Sequence, residues 1–436
     1  MEQLDLKLNF GDLFEAVTSE SQLRAGFKSV KRNGGAPGTD GVTIEEFEAN
    51  LESHLRDLSG EVRQWRYRPH PVKRVRIPKP GTTKTRMIGI PCVRDRVLQF
   101  SLKISLERIF DPGFSPNSFG FRPGRGQREA IDQAKELIGS GLDWIVDIDL
   151  ETFFDTINHD RIINLVGRRV SDNRILRLIG LTLRSGALED NEFVATEEGS
   201  VQGSPLSPLL SNIVLDELDR ELDRRGLKYC RYADDCNVFV GSRKAAERVL
   251  GSLTRFIEGK LKLKVNRAKS KAAPSNRVKF LGMTIVSGMI AISAASMKKA
   301  REKVKDLIPR RTHMSLEQQT IRANQWYSGW TGYYGMTELP SQLRTIEARM
   351  RVRFRLQFLR NQKRRKHIVR KLKERGIRRD RAYETVYSNK GLWALAHSFA
   401  VGQAWSNMWF RNRGLHTIST EIRPHWQSLD VYVKLL

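Results

Sequence analysis

The 436-residue sequence predicts an α+β fold whose last third is almost entirely helical. Short β-rich runs alternate with amphipathic segments, but without the regular strand–helix–strand rhythm of a doubly wound sheet. From about residue 297 onward, strand signals nearly vanish. Hydrophobic residues make up 39% of the chain, which is enough for a sizeable core and excludes a disordered basic tail.

The first 70 residues are predicted to be helical around one loop. Residues 1–32 mix polar and apolar positions at helical spacing. The run Asn33–Gly41 contains four glycines and a proline, and this composition requires a loop. Thr43 and Glu46 then match a capping box, which predicts the start of a helix over 44–58.

The predicted strands lie between residues 72 and 292. Alternating basic and apolar residues predict a hairpin at Val72–Ile90, and an apolar run predicts a buried strand at Trp144–Leu150. Leu227–Gly241 predicts a hairpin with two aspartates at its tip, and Phe280–Ile292 predicts a smaller one. The helices predicted between these strands are 95–110, 127–139, 159–184, 209–225 and 243–261. The predicted loops are 117–126 and 199–208.

The charge of the chain is strongly positive and unevenly distributed. Lys and Arg outnumber Asp and Glu by 76 to 49, a formal charge of +27. Residues 298–436 hold 30 basic against 10 acidic residues, so most of the surplus lies in the last third. Such a surplus favours an extended polyanion, most commonly nucleic acid. A basic protein without such a partner is the alternative at this point.

Composition also disfavours several other classes of protein. No apolar run approaches the ~18 residues of a membrane span, and the N-terminus lacks the basic-then-apolar layout of a signal peptide. Cys92, Cys230 and Cys236 form no CxxC pair, which argues against a zinc ribbon or a disulfide framework. We therefore expect a cytoplasmic protein without a membrane partner.

Acidic residues lie at the end of one predicted strand and interrupt another. Asp147 and Asp149 lie at the end of the strand at 144–150, whereas Asp234 and Asp235 interrupt an aromatic β pattern, in which Asp is disfavoured. Hard cations prefer carboxylate oxygens, and two Mg²⁺ about 3.5–4 Å apart support phosphoryl transfer. The spacing indicates a metal site built from the adjacent pair and either Asp149 or Asp147. A hairpin turn alone would also tolerate the pair.

The run Tyr232–Asp235 (YADD) resembles the signature of reverse transcriptases, and its neighbours follow the order of one family. The chain resembles the group II intron-encoded reverse transcriptase/maturase, in the short form that lacks a C-terminal endonuclease. The matching segments cover nearly the whole chain and are Asn33–Val42, Ile77–Arg86, Asp95–Gln99, Ser118–Pro123, Asp147–Asp155, Gln202–Pro208, Lys264–Ser270, Phe280–Gly282, Asn324–Tyr334, Lys390–Trp393, Ser406–Phe410 and Gly414–Leu415.

This resemblance implies a right-hand polymerase, with fingers and palm on an antiparallel sheet, followed by a helical thumb and a small basic helical domain. The implied domains are 1–296 for fingers and palm, with an N-terminal extension at 1–70, 297–372 for the thumb/maturase, and 373–436 for C-terminal nucleic-acid binding. The implied activities are RNA-directed DNA polymerisation and a maturase function in splicing and retromobility. The implied partners are group II intron RNA, an RNA template with a DNA primer, dNTPs and target DNA.

The resemblance also selects the third aspartate. In the family, the metal-binding aspartate lies five residues before a bulky aromatic, which favours Asp149 with Phe154 over Asp147. The implied catalytic residues and ligands of two Mg²⁺, or of Mn²⁺ in their place, are Asp149, Asp234 and Asp235, with a backbone carbonyl of Ile148 or Leu150 to complete the coordination.

Basic residues are implied to hold the triphosphate of the incoming dNTP. Lys79 and Arg86 are the implied clamp, and Lys84 competes with Lys79 because the hairpin is one residue longer than is common in the family. Lys269 is implied to assist proton transfer to pyrophosphate. For each of these residues, a solvated basic surface is the alternative.

Three residues are implied to lie near the nucleotide sugar and the templating pair. The ring of Phe154 would exclude a 2′-hydroxyl and so select DNA synthesis, although an ordinary core aromatic is the alternative. Gln202 and Gly203 would lie against the templating base pair. Val201 and Ser204 stand where the family has proline and glycine, and their effect on nucleotide handling stays open.

A basic helical region is predicted near the C-terminus. Residues 349–381 hold sixteen Lys and Arg, and an apolar residue recurs every four positions over Ile346–Phe358, which predicts a structured helix and not a solvated tail. The residues implied to bind nucleic acid are Arg351, Arg355, Lys363, Arg364, Arg365, Lys366, Arg370 and Lys371, and the implied primer grip is Phe280, Leu281 and Gly282.

Two other functions stay open at this point. One is a splicing cofactor without polymerase activity, which the intact set of three aspartates argues against. The other is a host-adopted relative that acts in DNA repair or defence. The sequence predicts neither the cognate intron, the target site, the oligomeric state nor the fidelity.

Overall fold

The computed structural model describes residues 12–78, 85–190 and 192–417. The chain divides into two units, Met1–Val278 and Lys279–Leu436, and each is described by itself. Within the described ranges, no helix combines the length and the apolar character that crossing a membrane requires.

The first unit combines helices with two four-stranded sheets. Its helices are α1 (Leu13–Thr18), α2 (Glu20–Asn33), α3 (Ile44–Ala49), α4 (Leu51–Arg63), α5 (Val93–Phe110), α6 (Gln127–Gly139), α7 (Phe153–Thr156), α8 (His159–Gly167), α9 (Asn173–Leu183), α10 (Ser207–Arg224) and α11 (Arg243–Phe256). Its strands are β1 (Val72–Pro78), β2 (Thr85–Ile90), β3 (Trp144–Ile148), β4 (Ala187–Glu189), β5 (Glu192–Val194), β6 (Lys228–Tyr232), β7 (Asp235–Val240) and β8 (Lys271–Pro274).

The sheet that carries the acidic residues is antiparallel throughout, with the strand order β6-β7-β3-β8. Its two inner strands are buried because β3 and β7 carry mainly apolar side chains, among them Val146, Ile148 and Val238. The other sheet has the order β2-β1-β4-β5, and its β1–β4 pair is parallel. The mixed architecture confirms the predicted α+β class.

A continuous apolar core lies behind the sheet of acidic residues. Helix α5 is buried on nearly all its faces and contacts α2, so it forms the centre of this layer. The predicted capping box is present: Thr43 N–H donates to Glu46 Oε2 at 2.8 Å, and Glu46 N–H donates to Thr43 Oγ1 at 3.1 Å. Cys92, Cys230 and Cys236 all lie in the interior with free thiols.

The second unit begins with a hairpin and continues as helices. Its elements are β9 (Met283–Val286), β10 (Met289–Ile292), α12 (Ala294–Leu307), α13 (Leu316–Tyr334), α14 (Pro340–Asn361), α15 (Arg365–Glu374), α16 (Arg379–Val386), α17 (Leu392–Ala396), α18 (Phe399–Ala404) and α19 (Asn407–Arg411).

Helix α14 is the central helix of this unit. Its predicted apolar stripe is buried from Ile346 to Phe354, which are both fully inaccessible, and Phe358 at its end is half-buried. Glu338 and Gln342, at the start of α14, accept hydrogen bonds from β10 at 2.8 and 2.7 Å. The hairpin is thereby fixed to the helices of its own unit.

Several predicted elements differ from the structure. The single helix predicted over 159–184 is wrong: the chain leaves the helix after Gly167, and Asp172 caps a new one by accepting from Arg174 N–H at 3.0 Å. The helix predicted over 1–32 is broken at Ser19, which caps α2, and its first eleven residues lie outside the described ranges. Strands β4, β5 and β8 were not predicted, because they are only three or four residues long.

Candidate metal centre

The strand register brings the predicted aspartates to one edge of the sheet. Ile148 at the end of β3 pairs with Cys236, and Tyr232 pairs with Asp235 across the hairpin. Asp149, the next residue after β3, therefore lies opposite Asp235, and Asp234 occupies the tip of the hairpin. Asp147 pairs with Asn237, two positions further into the sheet.

The segment after α11 fixes the backbone and the carboxylate of Asp149. Asp149 N–H donates to Ser270 Oγ at 3.0 Å, and Asp149 O accepts from Asn266 N–H at 2.8 Å. Lys269 Nζ lies 3.2 Å from both carboxylate oxygens. In the sequence, only the family resemblance pointed to this segment. The hydrogen bond of Ser270 to Asp149 was not predicted, because a pairing across 121 residues leaves no local signal.

The donor set at this edge fits Mg²⁺. The three carboxylates are partly exposed and offer the oxygen ligands that a hard cation prefers. The ammonium of Lys269 shows that the carboxylate of Asp149 already accepts a cationic partner. Ile148 and Leu150 are buried on either side of Asp149, and the part of their carbonyls in coordination stays a prediction.

Phe154 lies beside this edge on the short helix α7. It is half-buried and packs edge-to-face on Phe153, with ring centroids 5.4 Å apart. Its carbonyl accepts from Ser200 N–H at 2.6 Å, which joins α7 to the loop before α10. The aromatic ring is therefore anchored through its backbone but keeps an exposed part.

The loop that contains Gln202 and Gly203 packs against strand β2. Gly89 N–H donates to Gln202 O at 2.8 Å. Ser204, one of the two departures from the family pattern, donates through Oγ to the buried Gln99 Oε1 at 2.9 Å. The serine thus satisfies a buried amide of α5, which gives the departure a structural reason.

Gly203 is expected to be essential for this packing. Its φ is +118°, and a Cβ there would lie 2.2 Å from Gly89 O. Gly203→Ala should lower the free energy of unfolding by about 1–3 kcal/mol. Urea unfolding measures this change. Gly251→Ala, in open surroundings on α11, is the matched control and should raise stability by roughly 0.5–1 kcal/mol. Equal stabilities of the two variants would contradict the packing.

The predicted triphosphate clamp is only partly described. Lys79 and Lys84 lie outside the described residues. Arg86 lies on β2, where it pairs with Ile77 of β1. The clamp therefore stays a prediction.

The predicted primer grip lies in the second unit. Phe280 is buried, and Leu281 O accepts a hydrogen bond from the Tyr333 hydroxyl. Gly282 O accepts from Ser296 Oγ at 2.9 Å. These bonds fix the backbone of the segment to α12 and α13.

The predicted nucleic-acid-binding residues fall into two groups. Arg351 is only 8% exposed and lies 3.8 Å from Glu347, and Arg355 donates to Trp405 O at 2.7 Å. Burial lowers the pKa of Arg355 to about 10. These contacts place Arg351 and Arg355 inside the unit and make direct binding of nucleic acid by them unfavourable. The others lie at the surface around α15, with Lys371 half-buried, and are Lys363, Arg364, Arg365, Lys366, Arg370 and Lys371.

Arg231, which lies on β6 of the aspartate hairpin and is fully buried, was not predicted as part of the site. A charged residue between Cys230 and Tyr232, in the aromatic part of the strand, was the available signal. The acidic partner of Arg231 is Asp219, which lies on the buried side of α10 between Leu215 and Leu222.

Family models match both units of the chain. The model described as reverse transcriptase (RNA-dependent DNA polymerase) matches residues 77–285. The model described as group II intron, maturase-specific domain, matches residues 297–376.

Similar proteins are found among curated sequences and solved structures. Protein YkfC of Escherichia coli (strain K12) is 32% identical over 68% of this chain and 90% of that protein. Group II intron-encoded protein LtrA of Lactococcus lactis subsp. cremoris is 29% identical over 59% of this chain, which spans about half (54%) of LtrA. A chain of the structure described as "Partial Cas6-RT-Cas1--Cas2 complex" aligns at a TM-score of 0.37 and 22% identity, covering 57% of this chain and 43% of that one. At this score the structural similarity carries no further argument.

Proposed function

Because the chain belongs to the group II intron-encoded reverse transcriptase/maturase family, we propose that it copies RNA into cDNA by two-metal nucleotidyl transfer and binds its intron RNA to promote splicing and retromobility. The family and the enzyme class, RNA-directed DNA polymerase, were predicted from the sequence and are confirmed. The observation that carries the mechanistic proposal is the strand register that places Asp149 opposite Asp235.

Asp149, Asp234 and Asp235 hold two Mg²⁺ in this proposal, with a carbonyl of Ile148 or Leu150 as a further ligand. When bound, the cations supply positive charge for the attacking primer 3′-hydroxyl and the leaving pyrophosphate. The contribution of the chain is to place the carboxylates and to keep their oxygens accessible.

The neighbouring side chains bind and orient the incoming dNTP in this proposal. Lys269, whose Nζ lies 3.2 Å from the carboxylate of Asp149, transfers a proton to the pyrophosphate oxygen in this proposal. Phe154 excludes the 2′-hydroxyl of a ribonucleotide, while Gln202 and Gly203 contact the templating pair. The triphosphate is held by basic residues of the first hairpin, Lys79 and Arg86.

The domains keep the boundaries predicted from the sequence in this proposal. Residues 1–296 form fingers and palm with the extension at 1–70, residues 297–372 form the thumb/maturase part, and residues 373–436 bind nucleic acid. The segment 280–282 acts as the primer grip. The partners are intron RNA, an RNA template with a DNA primer, dNTPs and target DNA.

Primer extension on an RNA template tests the polymerase proposal. Purified protein with Mg²⁺, dNTPs and a DNA primer is expected to give cDNA that RNase treatment of the product leaves intact. A binding and splicing assay with a group II intron RNA tests the maturase part. Absence of cDNA would contradict the polymerase proposal, and absence of any intron RNA binding would contradict the maturase proposal.

We expect the exposed basic residues around α15 to make the binding of intron RNA steeply dependent on salt. Each phosphate contact to single-stranded RNA contributes about 0.7 to the slope of log affinity against log salt. Replacing four of these residues by Gln should therefore reduce the slope by roughly 2–3, as measured by filter binding at several salt concentrations. The four substitutions are Lys363→Gln, Arg364→Gln, Lys366→Gln and Arg370→Gln.

The matched control removes the same charge from the first unit. Four exposed basic residues of α11 serve for this purpose, namely Arg243, Lys244, Arg248 and Arg255. Their replacement by Gln should leave the slope within about 0.7 of the wild-type value. An equal loss of slope in both variants would show that net charge alone, and not the surface around α15, governs binding.

A further inference from the structure

Arg231 is a fully buried cation directly before the aspartate turn. The guanidinium has five N–H donors, and each has an acceptor inside the protein. We call Arg231 and its side-chain partners the Arg231 cluster. The acceptors are both carboxylate oxygens of Asp219, Asn212 Oδ1 at 3.0 Å, Ser118 Oγ at 2.7 Å and Ala233 O at 2.8 Å.

A stabilising role alone does not account for this cluster. Both members of the Arg231–Asp219 pair are 0% exposed. Burial raises the pKa of Asp219, and the charge of Arg231 opposes this effect. Well-packed apolar residues often give equal or greater stability than a buried ion pair.

The Arg231 cluster binds Ala233, whose backbone conformation sets the direction of the turn. Ala233 has a φ of +57°, a left-handed conformation that residues with a side chain rarely adopt. Arg231 binds the carbonyl of Ala233, on the side that leads into Asp234. The opposite side of Ala233 packs on Gly120, where a Cβ would lie 2.3 Å from Ala233 N.

Gly120 is itself joined to the cluster. Its carbonyl accepts from Asn212 Nδ2 at 2.9 Å, while Asn212 Oδ1 accepts from Arg231. The loop at 117–120 also pairs with β6, because Arg231 N–H donates to Asn117 O and Arg231 O accepts from Phe119 N–H, both at 2.9 Å. The turn is thus held from both faces by one connected set of hydrogen bonds.

We propose that Arg231 is a positioning residue that holds the Ala233 turn in its left-handed conformation, so that Asp234 and Asp235 are pre-organised to receive divalent cations. The proposal rests on the proposed function of these aspartates as metal ligands. A turn without this support must lose conformational freedom whenever a cation binds, which weakens binding and slows nucleotide transfer.

The double variant Arg231→Met/Asp219→Leu tests the proposal, because it removes the ion pair without leaving a buried unpaired charge. Binding of Mn²⁺ to the full chain without substrates, followed by electron paramagnetic resonance, should weaken by at least about tenfold. The Mg²⁺ concentration for half-maximal primer extension should rise, and amide hydrogen exchange over 232–236 should become faster. Intron RNA binding should stay within about twofold of wild type.

Two single variants perturb the same turn by different routes. Gly120→Ala introduces a Cβ against Ala233 N and leaves the Arg231–Asp219 pair in place. Arg231→Lys keeps the buried charge but has fewer donors, so its loss of Mn²⁺ affinity should lie between wild type and the double variant. Gly120→Ala tests the turn and Arg231→Lys tests the arginine. If the double variant does not fold, wild-type Mn²⁺ affinity in a folded Arg231→Lys protein overturns the proposal.

The matched control is Arg161→Met/Glu217→Leu, which removes another ion pair of α10, away from the turn. It should leave Mn²⁺ affinity within about twofold of wild type. A folded Arg231→Met/Asp219→Leu protein with wild-type Mn²⁺ affinity and kcat would overturn the positioning role. Failure of the underlying function gives another pattern: wild type makes no cDNA, or Asp235→Asn binds Mn²⁺ as tightly as wild type.

Discussion

Asp235→Asn is expected to lower the rate of primer extension on RNA by at least about 10³-fold, because an amide removes the negative charge that Mg²⁺ requires at this edge of the sheet. Asp235 is the half-buried first residue of β7, opposite the position of Asp149. Asparagine has nearly the same size and shape as aspartate, so the substitution keeps the side-chain volume and changes mainly the charge. Single-turnover extension of a labelled primer measures the loss.

Splicing and the sheet itself provide the controls for this variant. The Asp235→Asn protein should still promote splicing, because the proposed function assigns RNA binding to the basic surface and not to the carboxylates. Asp147→Asn, on the neighbouring strand β3 and opposite Asn237, should keep polymerase activity within about tenfold of wild type. Loss of splicing in a folded Asp235→Asn protein, or an equal loss of polymerisation in Asp147→Asn, would contradict the assigned roles.

Phe154→Val is expected to let the enzyme incorporate ribonucleotides. The half-buried ring of Phe154 is anchored by the Ser200 N–H bond to its carbonyl, and a smaller side chain leaves room for a 2′-hydroxyl. The preference for dNTP over the matching NTP, measured as the ratio of the two kcat/KM values, should fall by about 10²-fold. Incorporation of dNTPs themselves should change far less.

Phe153→Leu is the matched control for this prediction. Phe153 is buried and packs edge-to-face on Phe154, so its truncation should lower stability by about 1 kcal/mol without admitting ribonucleotides. Complete exclusion of ribonucleotides by Phe154→Val would show that another residue selects the sugar. Ribonucleotide incorporation by both variants would indicate a general loosening of α7.

The carboxylate edge was predictable because aspartates in an apolar strand carry a strong local signal. The choice between Asp149 and Asp147 was not, since Asp147 lies on β3, Asp149 directly follows it, and only the family pattern separated the two. The register of β3 against β7 joins residues about 90 positions apart, and no local pattern fixes such a pairing. The support of Asp149 by Ser270 is hidden from sequence for the same reason.

The basic region illustrates another limit of sequence reasoning. Its charge count predicted a surface for nucleic acid, yet Arg355 uses its guanidinium to bind backbone carbonyls inside the second unit. Composition gives the number of charged residues but does not show which of them form contacts inside the folded protein. Capping signals such as Asp172 were equally present in the sequence, but the apolar periodicity across 159–184 concealed the break between α8 and α9.

The buried cysteines have a practical consequence for fluorescence experiments. Cys230 and Cys236 flank the aspartate turn, and burial raises the pKa of both thiols, so the reactive thiolate is scarce in the folded protein. A single cysteine introduced at an exposed position such as Lys244 can therefore carry a dye while the native cysteines stay in place. The rate at which the native thiols react would measure how often the hairpin opens in solution.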